Sequence, residues 1–179
     1  MKQALVRGSL ALILACGMGL VVASPASAAT SQACKKVKGT LDLAPGLSAT
    51  STGNQKVTIK GAESSCAPTA KTGGTGAYSS VLVLKHANCS VLAKGGISFK
   101  GTATTKWKNG KTSTYSVTYK DGTGNNILKI SMVGTVTKGL FLGKKFTAGF
   151  TLQGVNSGAC TSKPFKHATW VQNKAWTIA

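Results

Sequence analysis

Arginine is all but missing: the 179-residue chain holds one, Arg7, and every other basic side chain is lysine. Arginine's planar fork makes the two-pronged contacts that read guanine and phosphate, whereas lysine is a hydrated point charge on a flexible stem. Sequence-specific nucleic-acid reading is therefore disfavoured. Acids are scarcer still, with Asp42, Glu63 and Asp121 the full set. A carboxylate pair flanking a glycosidic bond would have to be drawn from these three, and Asp121-Gly122 reads as a turn. There is no Cys-x-x-Cys pair, Gly-x-Ser-x-Gly elbow, dinucleotide glycine pattern or Walker loop. Zinc ribbons, α/β-hydrolase chemistry and nucleotide cofactors lose their usual signatures with them. His86 and His167 stand apart, too isolated to suggest a metal site or a triad. We expect no enzyme activity, no cofactor and no metal.

What is present begins with an export signal. Lys2 and Arg7 precede an apolar run from Leu10 to Ala23, followed by Ser24-Pro25-Ala26-Ser27-Ala28. That order matches a signal peptide cut after Ala28, leaving 29–179 as one secreted domain. The run is too short and too glycine-interrupted for a membrane span. A minority reading makes Cys16 the lipidated first residue of a lipoprotein, after Ile13-Leu14-Ala15. Cleavage after Ala28 removes Lys2 and Arg7, so 20 lysines face three carboxylates and the net charge is about +17.

Four cysteines remain, Cys34, Cys66, Cys89 and Cys160, an even number suited to an oxidising compartment. Val37 to Leu43 and Lys56 to Lys60 read as strands around a turn-rich stretch centred near residue 50. A hairpin folded there sets Cys34 opposite Cys66, which leaves Cys89 to pair with Cys160.

The rest of the chain is rich in Thr, Ser, Val and Gly, and short segments alternate apolar and polar residues. Ile97 to Ala103 and Ser113 to Lys120 alternate with period two around Asn109-Gly110, a strong hairpin signal. Ile127 to Thr137, Phe146 to Gln153 and His167 to Ile178 supply further strands, and Val81 to Lys85 is apolar on both faces, as in a central strand. The expected fold is all-β: an antiparallel sandwich or flattened barrel of about eight strands, with two disulfides and no helix. The pattern of Gly39-Thr40-Leu41, Lys56 to Gly61, Gly101-Thr102-Ala103-Thr104-Thr105-Lys106-Trp107 and Gly134-Thr135-Val136 resembles small exported β-proteins of actinobacteria. The resemblance implies a β-sandwich and export, and it brings no catalytic residue.

Two surface features stand out. Lys106, Trp107, Lys108 and Lys111 surround a predicted hairpin tip, where the ring could stack on a base or sugar, sit among lipid headgroups, or simply pack across the hairpin. Leu140-Phe141-Leu142 lies between glycines ahead of Lys144-Lys145 and is expected to feed the core. The function that fits best is non-catalytic binding of an anionic cell-envelope or extracellular polymer, salt-sensitive and driven by lysine density. A membrane-active secreted protein is the alternative, and a hydrolase the least favoured reading.

Overall fold

The computed structural model describes residues 31–50, 53–124, 128–155 and 163–179. The expected signal peptide (1–28), Cys16 and Cys160 lie outside these residues. Eight antiparallel strands run β1 (Gln32–Leu47), β2 (Gly53–Ala67), β3 (Gly76–Ala87), β4 (Ser98–Trp107), β5 (Thr112–Asp121), β6 (Lys129–Gly139), β7 (Lys145–Gln153) and β8 (Phe165–Ile178). Each pairs with its sequence neighbour, and β1 pairs with β8, so the sheet closes into a barrel. The eight strands are as expected; that last pairing decides for a barrel over a sandwich. It also corrects the sandwich that the resemblance implies.

Two short helices interrupt the meander, against the expectation of none: α1 (Thr69–Thr72) and α2 (Cys89–Lys94). The Asn88 side chain caps α2 by accepting from the Val91 amide at 2.8 Å.

Inside the barrel, the core is built by strands that alternate inward and outward side chains, with breaks at the bulges of β1 and β7. Leu41 and Leu43, Val57 and Ile59, Leu82 and Leu84, Tyr115, Val117 and Tyr119, and Phe146, Ala148 and Phe150 all point inward and are buried. An eight-stranded barrel has an interior just wide enough for side chains to fill it. Here aromatic rings do the filling. Trp170 and Trp176 stack with centroids 5.8 Å apart, Tyr78 meets Trp176 edge-on at 5.0 Å, and Phe150 leans on Trp170 at 4.9 Å. Glycines make room for the rings: Gly39 and Gly61 are register partners, and a Cβ on either would come within 2.6 Å of the Trp170 indole.

The Cys34–Cys66 disulfide joins β1 to β2 at directly paired residues, as the hairpin centre predicted. Cys89 opens α2, but its expected partner Cys160 is not among the described residues.

Candidate anion-binding surface

With the inward positions given to apolar and aromatic side chains, the outward positions decide what the protein presents. All 20 lysines between Lys35 and Lys174 are exposed. The three carboxylates offer them almost no compensation. Glu63 and Asp121 continue the inward parity of β2 and β5 and are buried, at 1% and 6% exposure. Asp42 faces outward but is taken by His167, its register partner on β8, at 2.6 Å between Nδ1 and Oδ1. Among the described residues, the only ion pair is that one, and no lysine is neutralised by a neighbouring acid.

Two grooves in the outer wall gather this charge. The first, about 430 Å³, is lined by Lys120, Lys129 and Lys174 from three strands, with Ser131 and Asn173 and with Asp121, the neighbour of Lys120 on β5, as its one acid. Its floor is Gly149, where a Cβ would meet Asn173 Oδ1 at 2.6 Å and Lys174 Cβ at 3.0 Å. The β7–β8 register slips on both sides of Gly149, and such a bulge re-aims the side chains beside it. The second groove, about 480 Å³, is lined by Lys38 and Lys60 together with Thr40, Gln153 and Thr169. Lys38 lies opposite Val171 on β8, and Lys60 opposite Thr40 on β1, so the groove runs across β8, β1 and β2. Lysine side chains around a concave, side-chain-poor floor can hold several phosphate or carboxylate groups at once, without the geometric selectivity that arginine would bring.

The predicted tip is placed differently from the exposed platform that stacking requires. Lys106, Lys108 and Lys111 are exposed, as expected, but Trp107 is 2% exposed. Its Nε1 donates to Ser113 Oγ at 2.8 Å, and Ser113 donates in turn to the Leu140 carbonyl. The ring meets Phe141 edge-on at 6.1 Å. The tip also leans on the α1 segment, with the Lys108 amide donating to the Thr75 carbonyl at 3.0 Å. Trp107 is thus a core residue, and the lysines around it form a basic rim. Of the neighbouring loop, Leu140 and Phe141 pack against the core while Leu142 is 67% exposed.

The barrel interior contains one charge-bearing cluster that lysine counting did not reveal. Glu63 Oε1 accepts from Thr105 Oγ1 at 2.7 Å, and Oε2 lies 3.7 Å from Cys34 Sγ. Burial pushes the Glu63 carboxyl up to about 7, with the Thr105 hydrogen bond pulling the other way. Burial also raises Tyr115, and the Glu63 charge adds to it. Tyr78 and Tyr119 share a 2.7 Å hydrogen bond between hydroxyls, and both are raised, again mainly by burial. Cys34, Glu63 and Cys66 lie close enough to share an ion, but the two sulfurs are bonded to each other and offer no thiolate, so the trio is not a metal seat.

The His167–Asp42 pair is the arrangement a hydrolase would need in a cleft. It lies instead across the outer face of β1 and β8, with both side chains about half exposed. His86 stands with a left-handed backbone near the end of β3, exposed and far along the chain from any acid. No family model, no curated protein and no solved structure matches the chain.

Proposed function

We propose that this is a non-catalytic, secreted, cationic barrel that binds an anionic polymer of the cell envelope or extracellular space through its lysine-lined outer wall. The observation that carries the reading is the uncompensated surface: every described lysine is exposed while two of three carboxylates are buried and the third is paired. A protein with charge only for solubility has no need of concavities that collect it, and the groove over Gly149 draws three lysines from three strands. The outward faces of β4 and β5 carry Lys, Thr and Ser in place of the apolar band that a lipid-spanning barrel presents. The membrane-active reading draws on Leu142 beside Lys144 and Lys145, with Val81 and Val83 on β3, Val91 on α2 and Val133 on β6 as the other exposed large apolar residues among those described, and exposed apolar residues scattered in this way are ordinary on soluble surfaces.

Titration with inorganic polyphosphate across a salt series tests the reading. Binding is expected to weaken steeply with salt, and Lys120→Gln/Lys129→Gln/Lys174→Gln is expected to flatten the log–log slope by about 2, as loss of three contacts to a single-stranded polyanion should. Binding indifferent to salt would refute polymer capture by charge. A slope that the triple variant leaves unchanged would move the contact away from this groove. Leakage of anionic vesicles at concentrations that bind no polyphosphate would favour the membrane-active alternative.

A further inference from the structure

The two grooves of the outer wall differ in chemistry. In the groove over Gly149 the neutral side chains already donate within the protein: Ser131 Oγ to the Lys120 carbonyl at 3.1 Å, and Asn173 Nδ2 to Thr151 Oγ1 at 2.8 Å. What remains there for a ligand is chiefly charge. Along the second groove, Gln153, Thr169, Thr40 and Lys60 are successive register partners on β7, β8, β1 and β2. With neighbouring strands about 4.8 Å apart, this row runs roughly 14 Å across the wall. Among the described residues, the side chains of Gln153, Thr169 and Thr40 make no hydrogen bond to the protein. Their donors and acceptors are open to a ligand.

A second row closes the groove on its other side, where Lys38 lies between its register partners Val171 and Ala62, both short and apolar. Between the two rows run Trp170, Gly39 and Gly61, which put no side chain on the outer face, so the floor is main chain. Lys38 and Lys60 stand on opposite sides of the Gly39–Gly61 pair as diagonal neighbours, with Cα atoms roughly 7–8 Å apart. The hydrogen-bonding row has no equal beyond it. There Asp42 is taken by His167, and Thr58 faces Val81. Val81 and Val83 are 52% and 53% exposed, although the apolar run of Val81 to Lys85 suggested a strand buried on both faces; a single-layered barrel has nothing to cover the second face.

A sugar ring carries hydroxyls around its edge and C–H groups on its faces, and an acidic sugar adds an anionic group. We propose that the second groove is a subsite for an acidic glycan. The anionic group lies between Lys38 and Lys60, the hydroxyls meet Thr40, Thr169 and Gln153, and a C–H face rests on Ala62 and Val171. A few convergent polar groups set against small apolar ones are what fixes the orientation of such a ligand. The inference rests on the polymer-binding reading and narrows the polymer to one built of sugars, since a polyanion without hydroxyls would leave the three neutral side chains unmatched. Lysine, a point charge without arginine's fork, accepts a carboxylate or a sulfate alike.

The test uses the purified protein with hexagalacturonate, a κ-carrageenan hexasaccharide, oligoacrylate of equal carboxylate number and neutral maltohexaose. Salt is set at about 0.5 M sodium chloride, where attraction between separated charges is largely screened. The Trp170 indole N–H resonance is the reporter, because its Nε1 donates to the Thr40 carbonyl from beneath the groove, and the Trp107 and Trp176 resonances are the controls. At least one acidic oligosaccharide is expected to shift it and to bind about tenfold or more tighter than oligoacrylate; the tighter of the two shows whether the acidic group is carboxylate or sulfate. Thr40→Val/Thr169→Val keeps the β-branched shape and every charge, and is expected to reduce that preference to about threefold or less. Affinity for oligoacrylate equal to that for both sugars, an unchanged preference in the folded valine variant, or shifts confined to Lys120, Lys129 and Lys174 would overturn the subsite and leave capture by charge intact. Maltohexaose binding as tightly as the acidic sugars would overturn the part given to Lys38 and Lys60. If none of these ligands, nor inorganic polyphosphate, binds at low salt, both readings fall.

Discussion

Glu63 is the residue at which a burial choice becomes measurable. An acid whose carboxyl rises from 4.5 to about 7 on folding holds its proton more tightly in the native state than in the unfolded one. Between those values the native state binds more protons, so stability falls as pH rises, is fully present below about 4.5 and levels off above about 7. A shift of this size corresponds to a loss of about 3 kcal/mol across the window. Glu63→Gln keeps the shape and the acceptor for Thr105 without the charge. Its denaturation midpoint is expected to be nearly flat from pH 4.5 to 7 and higher than that of the native protein above pH 7. Asp121, also raised by burial, leaves a smaller slope of the same sign. A native protein whose urea midpoint stayed constant across this window would show that Glu63 is charged and satisfied in the fold.

The strands are held in register by residues that provide no side chain. Gly39 faces Gly61, and the Trp170 indole occupies the space both leave, with its Nε1 donating to the Thr40 carbonyl at 3.0 Å. A Cβ at Gly39 would also fall 1.9 Å from the Lys60 carbonyl oxygen, which is backbone and has little room to retreat. Gly39→Ala is therefore expected to destabilise the barrel by about 1–3 kcal/mol and to red-shift tryptophan emission as Trp170 is pushed towards solvent. Unchanged emission and stability would mean that β1 and β2 separate easily here. The same strands show which parts of the structure were legible. Symmetry of Cys34 and Cys66 about residue 50 sufficed for their pairing, because a hairpin is a local object whose register follows from its centre. Trp107 was also legible: it continues the inward parity of Phe99, Ala103 and Thr105, yet the three nearby lysines drew attention to its surroundings instead. Glu63 likewise follows Val57, Ile59 and Gly61 inward. Closure was not legible, since the β1–β8 pairing joins residues as far apart in the chain as Gln32 and Ile178 and no local pattern encodes it. The grooves depend on where tilted, bulged strands bring distant lysines, which one-dimensional spacing does not contain.

Across the whole molecule, one sign of charge dominates, and its effect on stability is opposite to that of a surface laced with ion pairs. Twenty exposed lysines repel one another through water, and this repulsion is relieved when the chain expands. Salt screens it, because the Debye length falls from about 30 Å at 0.01 M to about 3 Å at 1 M. The single ion pair among the described residues, His167 with Asp42, is half exposed and has little to lose by screening. The melting temperature is therefore expected to rise as sodium chloride is raised from 10 mM to about 0.5 M at fixed pH, and to level off once the Debye length is shorter than the lysine spacing. Inorganic polyphosphate at low salt should raise it further than sodium chloride of equal ionic strength, since a ligand bound to the native state stabilises by mass action in addition to screening. If polyphosphate and sodium chloride stabilise equally at matched ionic strength, the charge acts as a diffuse field and the grooves hold nothing. If polyphosphate stabilises more and Lys120→Gln/Lys129→Gln/Lys174→Gln removes the excess, the lysines around Gly149 are where the polymer is held.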